Sequence, residues 1–68
     1  MEIICKVMSI NSTSIGAMFK PVDNFTFEDL IRWVYRNCPG DRKIIIDKDT
    51  VEAHYDDRVE IYYFKKEM

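Results

Sequence analysis

Glycine, proline, cysteine and histidine are scarce in this sequence, with two each of the first three and a single histidine, His54. The glycines, Gly16 and Gly40, stand far apart, so no Gly-rich loop can cradle a phosphate. No Pro- or Gly-rich linker, internal repeat or low-complexity segment divides the chain, and its 68 residues read as one domain. The two cysteines, Cys5 and Cys38, make no disulfide framework. Without a cleavable signal segment they read as reduced thiols of a cytoplasmic protein. Each falls on an expected apolar face, where a small buried thiol is the usual outcome. No apolar run approaches the roughly 20 residues that span a bilayer, so no membrane association is expected.

A large excess of one charge is also missing. Twelve acids against ten bases leave a net charge of −2. That balance gives no general attraction to nucleic acid or to anionic lipid. What the chain does have is apolar material: 47% of residues are hydrophobic and 13% aromatic, which argues against disorder. A chain this short buries only roughly 60% of the surface its unfolded form exposes. Part of its apolar area is therefore expected to meet a partner or a second copy.

The pattern predicts six elements. Residues 2–10 alternate, with Ile3, Cys5 and Val7 on one face and Ile4, Lys6 and Met8 on the other. Asn11-Ser12-Thr13-Ser14 is a turn cluster, after which Ile15, Ala17 and Phe19 repeat at period two until Pro21 ends the hairpin. Thr26 and Asp29 form a capping-box pattern. Phe27, Leu30, Ile31, Val34, Tyr35 and Cys38 then make one apolar helical stripe that stops at Pro39-Gly40. Three consecutive isoleucines, Ile44, Ile45 and Ile46, favour a central strand covered on both faces. Two further strands follow, with Val51, Ala53, Tyr55 and then Val59, Ile61, Tyr63 expected to point inward. The fold class is α+β with the order ββαβββ: four to five mostly antiparallel strands and one amphipathic helix on one face.

Catalysis finds little support. His54 sits mid-strand, and neither Cys5 nor Cys38 can be given both a cleft and an orienting third group with it. No catalytic residue and no cofactor is assigned. Asp47-x-Asp49 looks like the start of a calcium loop, but the glycine needed at the sixth position is Glu52. No Cys/His set has zinc spacing, so no metal is expected.

The second half concentrates acid. From Asp47 to Glu60 there are six carboxylates (Asp47, Asp49, Glu52, Asp56, Asp57 and Glu60) and two cations, Lys48 and Arg58. Strands would hold these charges on one surface. On the uncovered sheet face the pattern places Glu52, His54, Glu60, Tyr62 and Phe64. Such an acidic-aromatic surface suits a protein partner with a basic site, the aromatics supplying contact area and the carboxylates steering. Trp33 lies about 130° from the centre of the apolar stripe. It either packs over the helix shoulder onto the sheet edge or anchors an interface. Tyr62 and Phe64 could also stack bases, with Arg32, Arg36, Lys65 and Lys66 as cations, but Glu52 and Glu60 beside them oppose phosphates.

The opening Met1-Glu2-Ile3-Ile4-Cys5-Lys6-Val7, the small size and the abundant Ile, Tyr, Phe and Asp around one helix resemble the small accessory proteins of tailed bacteriophages. The element order is similar to phage antitoxins and host-enzyme inhibitors. That resemblance implies a host protein, such as a defence nuclease, bound and blocked in the host cytoplasm; it assigns no role to an individual residue. The expected function is non-catalytic binding of a larger protein through Trp33, Asp47, Asp49, Glu52, Asp56, Asp57, Glu60, Tyr62 and Phe64. If the partner binds nucleic acid, the carboxylates would occupy phosphate positions. A small nucleic-acid-binding regulator and a structural homodimer are the alternatives.

Overall fold

The computed structural model describes residues 2–65. Alternation builds the first hairpin from β1 (Ile3–Ser9) and β2 (Thr13–Phe19), closed where the Ser9 N–H donates to the Ser12 carbonyl at 2.9 Å. The register slips between Ile3, opposite Phe19, and Ile4, opposite Ala17, so Met18 is the extra residue of a bulge.

The helix α1 (Phe27–Asn37) starts where the sequence predicts it. The Asp29 N–H donates to Thr26 Oγ1 at 3.2 Å, and the Thr26 N–H donates to the Asp29 carboxylate at 2.8 Å. These bonds from Thr26 hold the Asp29 carboxyl below its ordinary value. At the other end the Cys38 N–H closes on Val34 O, and Gly40 turns the chain at φ 96°, a conformation that favours glycine. Arg42 then donates to the Tyr35 carbonyl at 3.4 Å, satisfying an orphan acceptor of the last turn.

After the helix, β3 (Lys43–Ile46), β4 (Thr50–His54) and β5 (Arg58–Phe64) form a meander, and β5 pairs antiparallel with β1. The sheet order is β2-β1-β5-β4-β3, with all neighbours antiparallel. This is the α+β architecture expected from the pattern. The core lies between α1 and one sheet face. Ile3, Leu30, Val34 and Val51 are fully buried there. Phe19, Phe25, Phe64 and Trp33 close its N-terminal end through edge and tilted ring contacts with centroids 5.0–6.1 Å apart.

Three placements differ from the sequence expectation. First, the isoleucine strand β3 is an edge strand, because β5 pairs with both β1 and β4 and so takes the centre of the sheet, leaving β3 outside β4. Second, the buried stripe of the helix is rotated toward Trp33. That ring lies 5.0 Å from Phe19 and 5.5 Å from Tyr62, while Tyr35 is 50% exposed. Trp33 thus packs over the helix shoulder. Third, β5 faces the opposite way. Ala53 pairs with Glu60 and Val51 with Tyr62, and cross-strand partners share a face. Since Val51 and Ala53 are buried beneath the helix, Glu60, Tyr62 and Phe64 point inward and Val59, Ile61 and Tyr63 outward. The length of the Tyr55–Asp57 turn sets this parity, and one residue more or less would invert it.

Candidate functional site

Strand alternation and register define the uncovered face row by row. The middle row runs Ile45, Glu52, Ile61, Lys6, Ile15 across the five strands. One flanking row holds Thr50, Tyr63, Ile4 and Ala17, and the other Lys43, His54, Val59, Met8 and Thr13. At the centre of this face Ile61 stands between Glu52 and Lys6, with apolar area from Ile45, Val59 and Tyr63 around them. Ile15 at 63% and Met8 at 40% exposure continue it toward β2. The acidic and basic residues of the face are Lys6, Lys43, Glu52 and His54, and Glu52 is joined to His54 by a 2.7 Å contact between carboxylate and ring Nε2.

The acidic segment is split by the strands that carry it. Asp47 and Asp49 sit in the β3–β4 turn at one end of the sheet. Asp56 and Asp57 sit in the β4–β5 turn at the opposite end, and Asp57 there accepts from Arg58 Nη1 at 2.8 Å. Asp47, Asp49 and Glu52 do converge. With Lys6, Thr50, Ile61, Tyr63 and Phe64 they line one depression at the corner of the open face. The Lys48 N–H donates to Asp47 Oδ1 at 2.7 Å, which fixes that carboxylate in its turn.

Glu60 and Tyr62 lie on the other side of the sheet, which corrects their expected place on an outer binding surface. Tyr62 is 4% exposed and cannot meet a partner. Its hydroxyl donates to Glu60 Oε1 at 2.8 Å, Arg58 Nε donates to Glu60 Oε2 at 2.6 Å, and Cys38 Sγ approaches the Tyr62 hydroxyl at 3.4 Å. The Arg58 guanidinium also lies 4.1 Å from the Tyr55 ring centroid, and the Tyr55 hydroxyl donates to Pro39 O. A carboxylate is tolerated under the helix because both of its oxygens are paired. Burial pushes the Cys5 and Cys38 thiols up, and burial with the surrounding hydrogen bonds pushes the Tyr62 hydroxyl up. Held protonated, the two thiols are poor nucleophiles. The cluster is a packing device at the C-terminal end of the helix.

Phe64 belongs mainly to the core, its ring 6.1 Å from Phe25, and reaches the depression from the strand end. The base-stacking surface built on Tyr62 and Phe64 is therefore absent from the open face. Of its expected cations, Arg32 pairs with Glu28 and Asp29, and Lys65 with Glu2. Lys66 lies outside the described residues.

Sequence reasoning missed Ile61 and Tyr63 as surface residues. The signal that could have found them is Glu60: its neighbours Arg58 and Tyr62, two residues either side, share its face and can satisfy it there. Among the described residues, no cluster of His, Cys, Asp or Glu could hold a metal ion, and no helix is long and apolar enough to cross a membrane. Comparison of the chain with protein-family models, with curated proteins and with solved structures finds no match.

Proposed function

We propose that this chain is a non-catalytic binding module that docks a larger protein on its open sheet face and thereby inhibits or modulates it. The observation that carries this reading is the corner depression, where Asp47, Asp49 and Glu52 border apolar contact area from Ile61 and Tyr63. Ile61 and Tyr63 supply its apolar contact area, and the acids beside them favour a partner with a basic rim. Where that partner is a nucleic-acid-binding enzyme, the three carboxylates take positions of backbone phosphates. The resemblance to small phage proteins makes a bacterial host protein the partner of choice, met in the host cytoplasm.

The test is capture from bacterial lysate on the immobilised chain, with nuclease present. One stoichiometric protein is expected, released by salt and lost when Asp49→Lys and Glu52→Lys are combined. Retention that ignores both salt and charge reversal would move the interface off this corner.

A further inference from the structure

The edge position of β3 is at odds with its composition. Lys43-Ile44-Ile45-Ile46-Asp47 reads as a strand that should have a neighbour on each side, yet β4 is its only strand neighbour among the described residues. Ile46 is left 50% exposed. Natural edges are blunted by shortness, lysine, proline, inward charge or a bulge; this one is four residues long and opens on Lys43, yet its other three residues are all β-branched isoleucines.

We propose that β3 pairs antiparallel with the β3 of a second copy about a two-fold axis at Ile45, joining two five-stranded sheets into one of ten. The segment carries opposite charges at equal distances from that residue, Lys43 on one side and Asp47 on the other. Antiparallel pairing sets Lys43 of each copy against Asp47 of the other on the open face, twice by symmetry. It sets Ile44 against Ile46 on the helix side and Ile45 against itself. Opposite charges directly across an antiparallel pair stabilise it, and β-branched pairs add packing. A parallel arrangement would instead place Lys43 beside Lys43 and Asp47 beside Asp47. The β2 edge, Thr13–Phe19, has no charge to select a register.

The helix flank above β3 offers further apolar cover. Tyr35 is 50% exposed there, its ring 5.6 Å from the guanidinium of Arg42, the residue that leads into β3. A contact built on one short strand pair is small beside the roughly 800 Å² per partner of a standard stable interface, so the dimer is expected to exchange with monomer. It is independent of the docking reading and shares only Asp47 with it.

Sedimentation of the full chain from about 1 μM to about 1 mM tests the pairing. The wild-type chain is expected to pass from monomer to dimer across that range. Lys43→Asp places like charges across the axis twice and should raise the dissociation constant about tenfold. Combining Lys43→Asp with Asp47→Lys restores the opposite-charge pairs and should restore dimerisation. Ile46→Lys, on the helix side and half exposed, should leave a monomer that still shows the far-ultraviolet dichroism of the wild type and still captures a docking partner. A wild-type chain that stays monomeric throughout would overturn the proposal. So would a dimer whose constant is unchanged by Lys43→Asp or is not recovered by the double exchange.

Discussion

The Tyr62 hydroxyl donates to the Glu60 carboxylate across 2.8 Å beneath the C-terminal end of the helix. The two residues are separated by one position on β5, so alternation puts them on the same face, and the same carboxylate receives Arg58. A chain with one layer of helix over one sheet has placed its best-paired acid inside and left Ile61 and Tyr63 outside. On the docking reading proposed above, stability and binding fall on opposite faces of the same strand.

Glu60→Ala should be among the most destabilising polar substitutions. It leaves the Tyr62 hydroxyl and the Arg58 guanidinium without their carboxylate, at a cost of about 1–3 kcal/mol. Thermal unfolding should shift down by roughly 5–15 °C for a domain of this size. Asp56→Ala in the exposed β4–β5 turn should stay within about 0.5 kcal/mol of wild type. Equal effects at the two positions would deny Glu60 its structural role.

Alkaline pH should weaken the fold. Cys5, Cys38 and Tyr62 all have proton affinities raised in the folded state, chiefly by burial. Their stabilising contribution is complete below the ordinary thiol value of 9.0 and is lost as pH rises from there toward the folded values. Urea midpoints measured from neutral pH upward should therefore fall beyond about pH 9. Replacing Cys38 by Ala removes one of these groups and should flatten the decline. A midpoint that is level or rising beyond that pH would contradict the burial of these groups.

Trp33→Ala should destabilise by about 2 kcal/mol, because the ring packs on Phe19 and Tyr62 rather than standing free. The corresponding drop in Tm is about 10 °C. The indole emission of the wild type should be blue-shifted when folded and move red on unfolding. An unchanged Tm would return Trp33 to the set of surface anchors.

The sequence disclosed the elements better than their arrangement. Thr26 and Asp29 sit three apart and cap the helix with no help from the rest of the fold, so the helix start was legible. Ile3, Cys5 and Val7 alternate with Lys6 and Met8, so the inward face of β1 was legible despite the apolar Ile4 on the other face. β5 was not, because Val59, Ile61 and Tyr63 are as apolar as Tyr62 and Phe64. Only the register against Val51 and Ala53, set by a turn, decides between the two faces. The isoleucines of β3 announce a well-covered strand, but strand order depends on which non-local pair closes the sheet, here β1 with β5. The scattering of the acids follows from the same cause: turns at opposite ends of β4 carry Asp47 and Asp49 away from Asp56 and Asp57. For Trp33 the helical wheel gave the angle but not the neighbour, and Phe19 at the end of β2 supplies it.

The most direct test of the docking account is paired capture from bacterial lysate, wild type against Ile61→Glu, with both chains shown to be folded by circular dichroism and with nuclease present. Ile61 stands at the middle of the open face, beside Glu52 and Lys6, and a carboxylate there would have to be desolvated in any complex on that face. The account predicts one stoichiometric protein on the wild-type chain and at least about a tenfold loss of it on the variant. Equal capture by the two chains, or only nuclease-sensitive material on both, would contradict it.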